Sequence, residues 1–362
     1  RKALAGVRKE LDAVKPDTVP VTTELVRDKQ RVTKIQVRGN FLNLGDEVQA
    51  GTPPMLPPLP TGRSADRLAM AEWMVSAENP LTARVTVNRL WEAIFGTGLV
   101  RTTEEFGAQG ELPSHPELLD WLATEFIERG WDVKGFLKML LMSQAYRQSS
   151  AVLPDVLEKD PDNRLVSRGP RFRVTGEQLR DQALSVSGLL SPRMFGKPVR
   201  PPKPAVGLSL AFGGGTDWTT SAGEDRYRRA IYTEVRRSSP YPAFSTFDAP
   251  NREVCTIRRN RTNTPLQAFV TLNDPVFVEA AQGFARRVIA EATGDAGRID
   301  HAFRVALSRH ATEPELRRVE ALLQRAREGF RADPDSAKRL ATEPIGALPQ
   351  GVDPCLLYTS DA

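Results

Sequence analysis

Between Ser64 and Phe330 the apolar positions recur at helical spacing, and most runs are bounded by residues that open or close helices. Ser64 predicts a cap for a helix reaching about Ser76. Asn79-Pro80 predicts another, with an oxygen-bearing side chain for the first free amides, proline in the first turn, and Gly96 past the end. Ser114 and Glu117 stand at capping-box spacing ahead of Leu118, Leu119, Leu122 and Phe126 on one face, with Gly130 closing the helix. A run from Asp132 to about Tyr146 turns Phe136, Met139 and Leu140 inward and forms a helical hairpin with it. Thr175 with Gln178 and Thr312 with Glu315 repeat the capping-box pattern, while Thr264-Pro265 and Asp274-Pro275 open two further helices. A last run carries Ile299, Phe303 and Leu307.

The ends and the middle differ in texture. A charged helix from Arg1 to about Lys15 precedes an extended segment through Val32, Ile35 and Val37, which stops at Arg38-Gly39-Asn40; Gly45-Asp46 reads as a second turn. The proline-rich stretch 51–60 blocks helix and central strand alike and reads as a linker. Residues 191–224, with Pro201-Pro202 and Gly213-Gly214-Gly215, read as a long surface loop, followed by a short strand from Ala230 to Val235. The fold class is therefore mostly α: a multi-helix globular domain of about nine helices with a small β element and a long Pro/Gly-rich loop.

Composition narrows the function. The chain has 362 residues, 40% of them hydrophobic, enough for a sizeable core, and charges interrupt every apolar stretch well short of a membrane span. Membrane insertion is not expected. The 50 basic residues exceed the 45 acidic ones only modestly, and the arginine clusters 168/171/173, 226/228/229 and 258/259/261 are interleaved with acids and lack aromatic stacking partners, which argues against nucleic acid. Two cysteines with no Cys-x-x-Cys exclude a zinc ribbon or covalent haem within this chain.

Certain motifs carry a resemblance. Asn79-Pro80-Leu81-Thr82-Ala83-Arg84-Val85, Asn88-Arg89-Leu90-Trp91, Phe95-Gly96-Thr97-Gly98-Leu99-Val100, residues 106–111 and 114–121, Tyr146-Arg147-Gln148, Phe247-Asp248-Ala249-Pro250, Thr264-Pro265-Leu266-Gln267-Ala268 and Leu272-Asn273-Asp274-Pro275 resemble the planctomycete-associated PSD family, a domain of unknown function numbered fifteen fifty-three. The resemblance spans about 63–330 and implies the C-terminal domain of a large exported protein, in the periplasm or cell envelope, preceded by a c-type cytochrome domain. On that reading 1–60 is the tail of an upstream domain plus linker and 61–345 the PSD-like domain. Haem c lies in a missing upstream domain, no cofactor sits in this chain, and the partners are the upstream domains and an extracellular polysaccharide or redox protein. Family members commonly carry histidine where Ala93 and Ile94 stand, so no metal site is expected. The string from Pro354 to Ala362 resembles translated sequencing adapter and is set apart from the fold.

The candidate binding residues are Arg84, Asn88, Trp91, Gln109, Glu111, His115 and Asp248. Arg84, Asn88 and Trp91 fall at i, i+4 and i+7, a stripe that either lines a pocket or pins the 106–111 loop; the second is favoured because buried Arg and Asn commonly satisfy loop carbonyls. His115, beside a helix start, is expected to stay neutral and hydrogen-bonded, since the helix dipole disfavours an imidazolium there. Trp73, Trp121 and Trp131 read as core or rim packing. Asp274 reads as an N-cap and Asp248 as a turn residue holding its own loop. A non-catalytic binding or assembly module is the leading reading. The alternatives are a carbohydrate-active enzyme using Asp248 or Glu111 as acid or base, and a nucleic-acid binder.

Overall fold

The computed structural model describes residues 2–14, 18–204, 218–237 and 239–348, and these divide into two compact units, 1–171 and 172–362. Fourteen α-helices and one two-stranded sheet are present among the described residues, so the mostly helical class holds. The triple-glycine segment and the 354–362 tail lie outside the described residues.

The first unit holds α1 (Lys2–Ala13), strands β1 (Thr33–Gln36) and β2 (Leu44–Val48), then α2 (Arg67–Val75), α3 (Thr82–Phe95), α4 (Pro116–Glu128), α5 (Val133–Met142), α6 (Gln144–Arg147) and α7 (Pro154–Lys159). The strands pair antiparallel, Thr33 opposite Val48 and Lys34 opposite Glu47. Gly45-Asp46 is thus ladder rather than turn; the reversal is made earlier, where Arg38 adopts φ 56° and the Val37 amide donates to the Asn43 carbonyl. The proline-rich stretch is tethered, with the Trp73 indole N–H donating to Pro57 O at 2.7 Å.

Helix starts follow the sequence with instructive shifts. Asp66, not Ser64, caps α2, its carboxylate accepting from the Ala69 amide. Asn79 Oδ1 accepts from Leu81 and Thr82 amides at 3.0 and 3.2 Å, one turn ahead of α3, and Gly96 ends that helix at φ 85°. The Ser114–Glu117 box does not form. His115 occupies the N-cap position, Pro116 removes one orphan amide, and the Ser114 hydroxyl pairs with His115 Nδ1 at 3.0 Å instead. The expected 132–146 helix is two, because Ser143 leaves helical geometry (ψ 150°) and its hydroxyl caps α6 through the Tyr146 amide. Helices α3, α4 and α5 enclose Val87, Leu122, Phe126, Phe136 and Leu140, all essentially sealed from solvent. Each such side chain contributes roughly 1.5–3 kcal/mol by burial. Trp73 is buried and Trp131 packs edge-on against Phe126, but Trp121 is 53% exposed, so it is neither core nor rim.

The second unit holds α8 (Gly176–Ser187), α9 (Pro242–Thr246), α10 (Pro265–Asn273), α11 (Pro275–Glu291), α12 (Asp295–Leu307), α13 (Glu313–Ala332) and α14 (Pro334–Thr342). Both predicted boxes form, Thr175–Gln178 and Thr312–Glu315, and Thr264–Gln267 adds a third. Helix α11 is the hub, packing on α8, α10, α12 and α14. The predicted strand 230–235 is instead a single 3-10 turn, Ala230–Tyr232, whose hydrogen bonds curl the backbone before a ladder can propagate. Only isolated parallel bridges remain, Ser191 with Arg228 and Val199 with Thr233, and they pin the described part of the 191–224 loop.

Asp274 closes α10 and opens α11, its carboxylate accepting from the Val276 amide at 3.0 Å. Burial holds its carboxyl above the usual aspartate range, so the charged form is penalised and this group favours folding most below its unfolded pKa, the advantage fading as pH rises through the folded value. Asp274→Asn retains the cap without the buried charge and is expected to keep or raise the midpoint of urea unfolding at pH 7. Asp274→Ala is expected to lower stability by about 1 kcal/mol.

Candidate functional site

Of the α3 stripe, Asn88 acts as a pin. Asn88 is fully buried and grips one residue by both backbone groups, donating from Nδ2 to Val100 O at 3.0 Å and accepting from Val100 N at 2.8 Å. Arg84 donates to Asp120 Oδ1 and to Pro80 O, both at 2.6 Å. The pinned segment is 97–100 rather than 106–111. A side chain at Gly98 would place Cβ 2.5 Å from Val100 O and 2.7 Å from Asn88 Nδ2, so this close approach demands glycine.

Trp91 stacks on Phe95 with ring centroids 4.0 Å apart and lines a small cavity with Thr97, Gly98, Ser114, Asn163, Arg164 and Val166. That cavity measures about 20 Å3, which admits one water and no organic ligand. Glu111 sits at its margin, 3.8 Å from Arg164 Nη2 and half exposed; Gln109 is exposed, and His115 is engaged with Ser114. The 160–168 loop was not visible as part of this region, although Asp160 organises it by accepting from the Arg164 and Leu165 amides and the Ser167 hydroxyl.

Asp248 belongs to the second unit. It adopts φ 61°, and its carboxylate accepts from the Thr262 amide at 2.8 Å and hydroxyl at 2.9 Å, so it holds a segment fourteen residues downstream rather than its own turn. The arginines also have partners. Arg226 Nε donates to both oxygens of buried Glu279 at 2.9 Å, Arg229 meets Asp181, and Arg259 meets Glu177. Buried Arg228 donates to the Lys197 and Phe195 carbonyls and lies over the Tyr232 ring, while Arg168 donates to the Asp160 and Pro161 carbonyls. Carboxylates thus meet Arg226, Arg229 and Arg259, whereas Arg168 and Arg228 give these hydrogen bonds to backbone carbonyls.

A ligand-sized space among the described residues lies in the second unit. This open cleft of about 730 Å3 lies between the end of α8 (Ser187, Gly188, Leu189), Tyr227, the C-terminal half of α11 (Gly283, Arg286, Arg287, Glu291) and Ile345. Its volume falls in the range of small-molecule sites. Gly283 lets α8 approach, since a Cβ there would meet Leu189 Cδ1 at 2.8 Å. Consecutive arginines of α11 cap two neighbouring helices: Arg287 donates to Val186 O at 2.8 Å, and Arg286 Nη2 donates to Ala341 O at 2.9 Å and Gly346 O at 2.5 Å. Tyr227 donates to Glu279 at 2.8 Å, and burial, then this bond to a carboxylate, pushes its phenol up to about 12. Glu291 is held below the usual glutamate range by His301 and Arg287. No sequence motif marks this cleft, whose walls come from four separated stretches; its one local trace is a glycine inside a helix, which costs stability unless close packing requires it.

Among the described residues no group of three or more His, Cys, Asp or Glu side chains is placed to hold a metal, and no helix is long and apolar enough to cross a membrane. A family model described as PSD1, protein of unknown function (DUF1553), matches residues 66–323. No curated protein and no solved structure matches the chain.

Proposed function

From its membership of the PSD1 family of proteins of unknown function (DUF1553), we propose that the chain is a binding and assembly module whose ligand site is the open cleft of the second unit. The observation that carries this reading is a division of labour. The space is ligand-sized and half apolar, whereas the carboxylates suited to acid or base work are spent on structure, Asp248 on Thr262 and Glu279 on Arg226 and Tyr227. Catalytic carboxylates of a glycosidase face each other across the scissile bond; Glu111 and Asp248 each already have a partner, Arg164 and Thr262. The family resemblance further supports placing the module in an exported, cytochrome c-linked polypeptide, where it meets upstream domains and a polysaccharide or redox partner.

Ligand-observed NMR with a fragment library tests the site. Ile345→Trp, which adds bulk to the cleft lining, is expected to abolish the common set of binders; binders indifferent to that change would place the site elsewhere. Oligosaccharides incubated with the chain are expected to be recovered intact. New reducing ends that vanish with Asp248→Asn or Glu111→Gln would instead establish the enzyme reading.

A further inference from the structure

Among the described residues, Arg286 is the cleft side chain whose charge has no carboxylate partner. Its hydrogen bonds among the described residues go to two carbonyls, both through Nη2, and its Nε is buried without a partner. Burial lowers its pKa. Arg287 beside it is already neutralised by Glu291 at 2.9 Å, which His301 also holds at 2.8 Å. The cleft therefore offers one spare positive charge at its wall, with Leu189 and Ile345 supplying apolar surface nearby.

With Nη2 committed to the two carbonyls and Nε buried, Nη1 is the donor left to Arg286, and a charge-assisted hydrogen bond from it suits a carboxylate oxygen. One spare charge suits a monoanion better than a phosphate dianion, which would leave its second charge uncompensated beside Glu291. We infer that the cleft seats the carboxylate of a small organic acid, Arg286 meeting the oxyanion while Leu189 and Ile345 receive the apolar remainder. This rests on the cleft being the ligand site proposed above.

Benzoate and its neutral isostere benzamide are the probes, titrated into the full chain by NMR. Benzoate is expected to bind about tenfold more tightly than benzamide, as a charge-assisted pair allows. That preference should disappear in Arg286→Gln and in Ile345→Glu, which sets a like charge in the cleft. Arg286→Gln also frees two carbonyls, so Ile345→Glu keeps the test decisive if the first variant is unstable. Equal binding of both probes, abolished by Ile345→Trp, would overturn the carboxylate seat and leave the ligand site standing. Binding of neither probe, or binding of both unaffected by Ile345→Trp, would overturn the two together. A benzoate preference that survives Ile345→Glu would move the anion elsewhere, and phenyl phosphate binding more tightly than benzoate would overturn the monoanion assignment.

Discussion

Glu279→Ala is expected to destabilise the second unit by about 3–5 kcal/mol, the cost of leaving a buried charge without its partner. Glu279 is 3% exposed, accepts two hydrogen bonds from Arg226 and one from the Tyr227 hydroxyl, and is among the carboxylates whose field reaches buried Arg180. Arg180 and Arg228 are both sealed in the same unit with backbone carbonyls as their main hydrogen-bond partners. Deleting the carboxylate therefore leaves Arg226 without its ion-pair partner and removes one of the carboxylates acting on Arg180, and a loss of this size is a large share of the about 5–15 kcal/mol that holds a typical domain. Removing both members, Arg226→Met with Glu279→Leu, is expected to recover most of the loss, because no unpaired charge remains. Urea unfolding followed through the transition of the second unit measures both. A loss below about 1 kcal/mol for Glu279→Ala would mean that water already reaches the pair and screens it.

Local helix chemistry was legible because it is written in neighbouring residues. Thr175 with Gln178, Thr312 with Glu315, Asp274 before Pro275 and Gly96 after Phe95 all act within one turn, and the structure uses each as the spacing predicts. Ser114 and Glu117 had the same spacing and failed, because the Ser114 amide donates to Leu99 O and its hydroxyl turns to His115, so tertiary contacts outbid the box. Residues 230–235 had the alternation of a strand, yet a strand needs a continuous partner, and the neighbouring 191–204 segment meets it only at single bridges. The same limit explains the sites. Arg84, Asn88 and Trp91 all lie in α3 but act separately: Asn88 pins Val100 rather than the 106–111 loop, Arg84 binds Asp120 and Pro80, and Trp91 lines the small cavity. The cleft was invisible because Ser187, Tyr227, Arg286 and Ile345 share no local pattern and are gathered only by the packing of α8 and the 340–346 segment around α11.

Asn88→Leu is expected to cost the first unit about 2–5 kcal/mol although the two side chains share the same branched heavy-atom skeleton. The substitution leaves Val100 N–H and C=O, in a residue 3% exposed, without the partners they now have at 2.8 and 3.0 Å, and each orphaned buried polar group costs roughly 1–3 kcal/mol. Asn88→Asp is expected to fall at the severe end of that range, since it keeps the acceptor for the amide but sets a buried carboxylate against the Val100 carbonyl. Gly98→Ala attacks the same bracket from the other side, driving a Cβ against Val100 O and the Asn88 amide. Because both changes disrupt one contact, Asn88→Leu with Gly98→Ala should lose much less than the sum of the single losses. Chemical denaturation gives the energies, and hydrogen exchange at the Val100 amide locates them: protection there should fall in Asn88→Leu well before it falls at Phe126 in the core of α4. If Val100 stayed as protected as in the parent chain while global stability dropped, the loss would belong to repacking around Val87 and Trp91, and the clamp would not be what holds the 97–100 segment to α3.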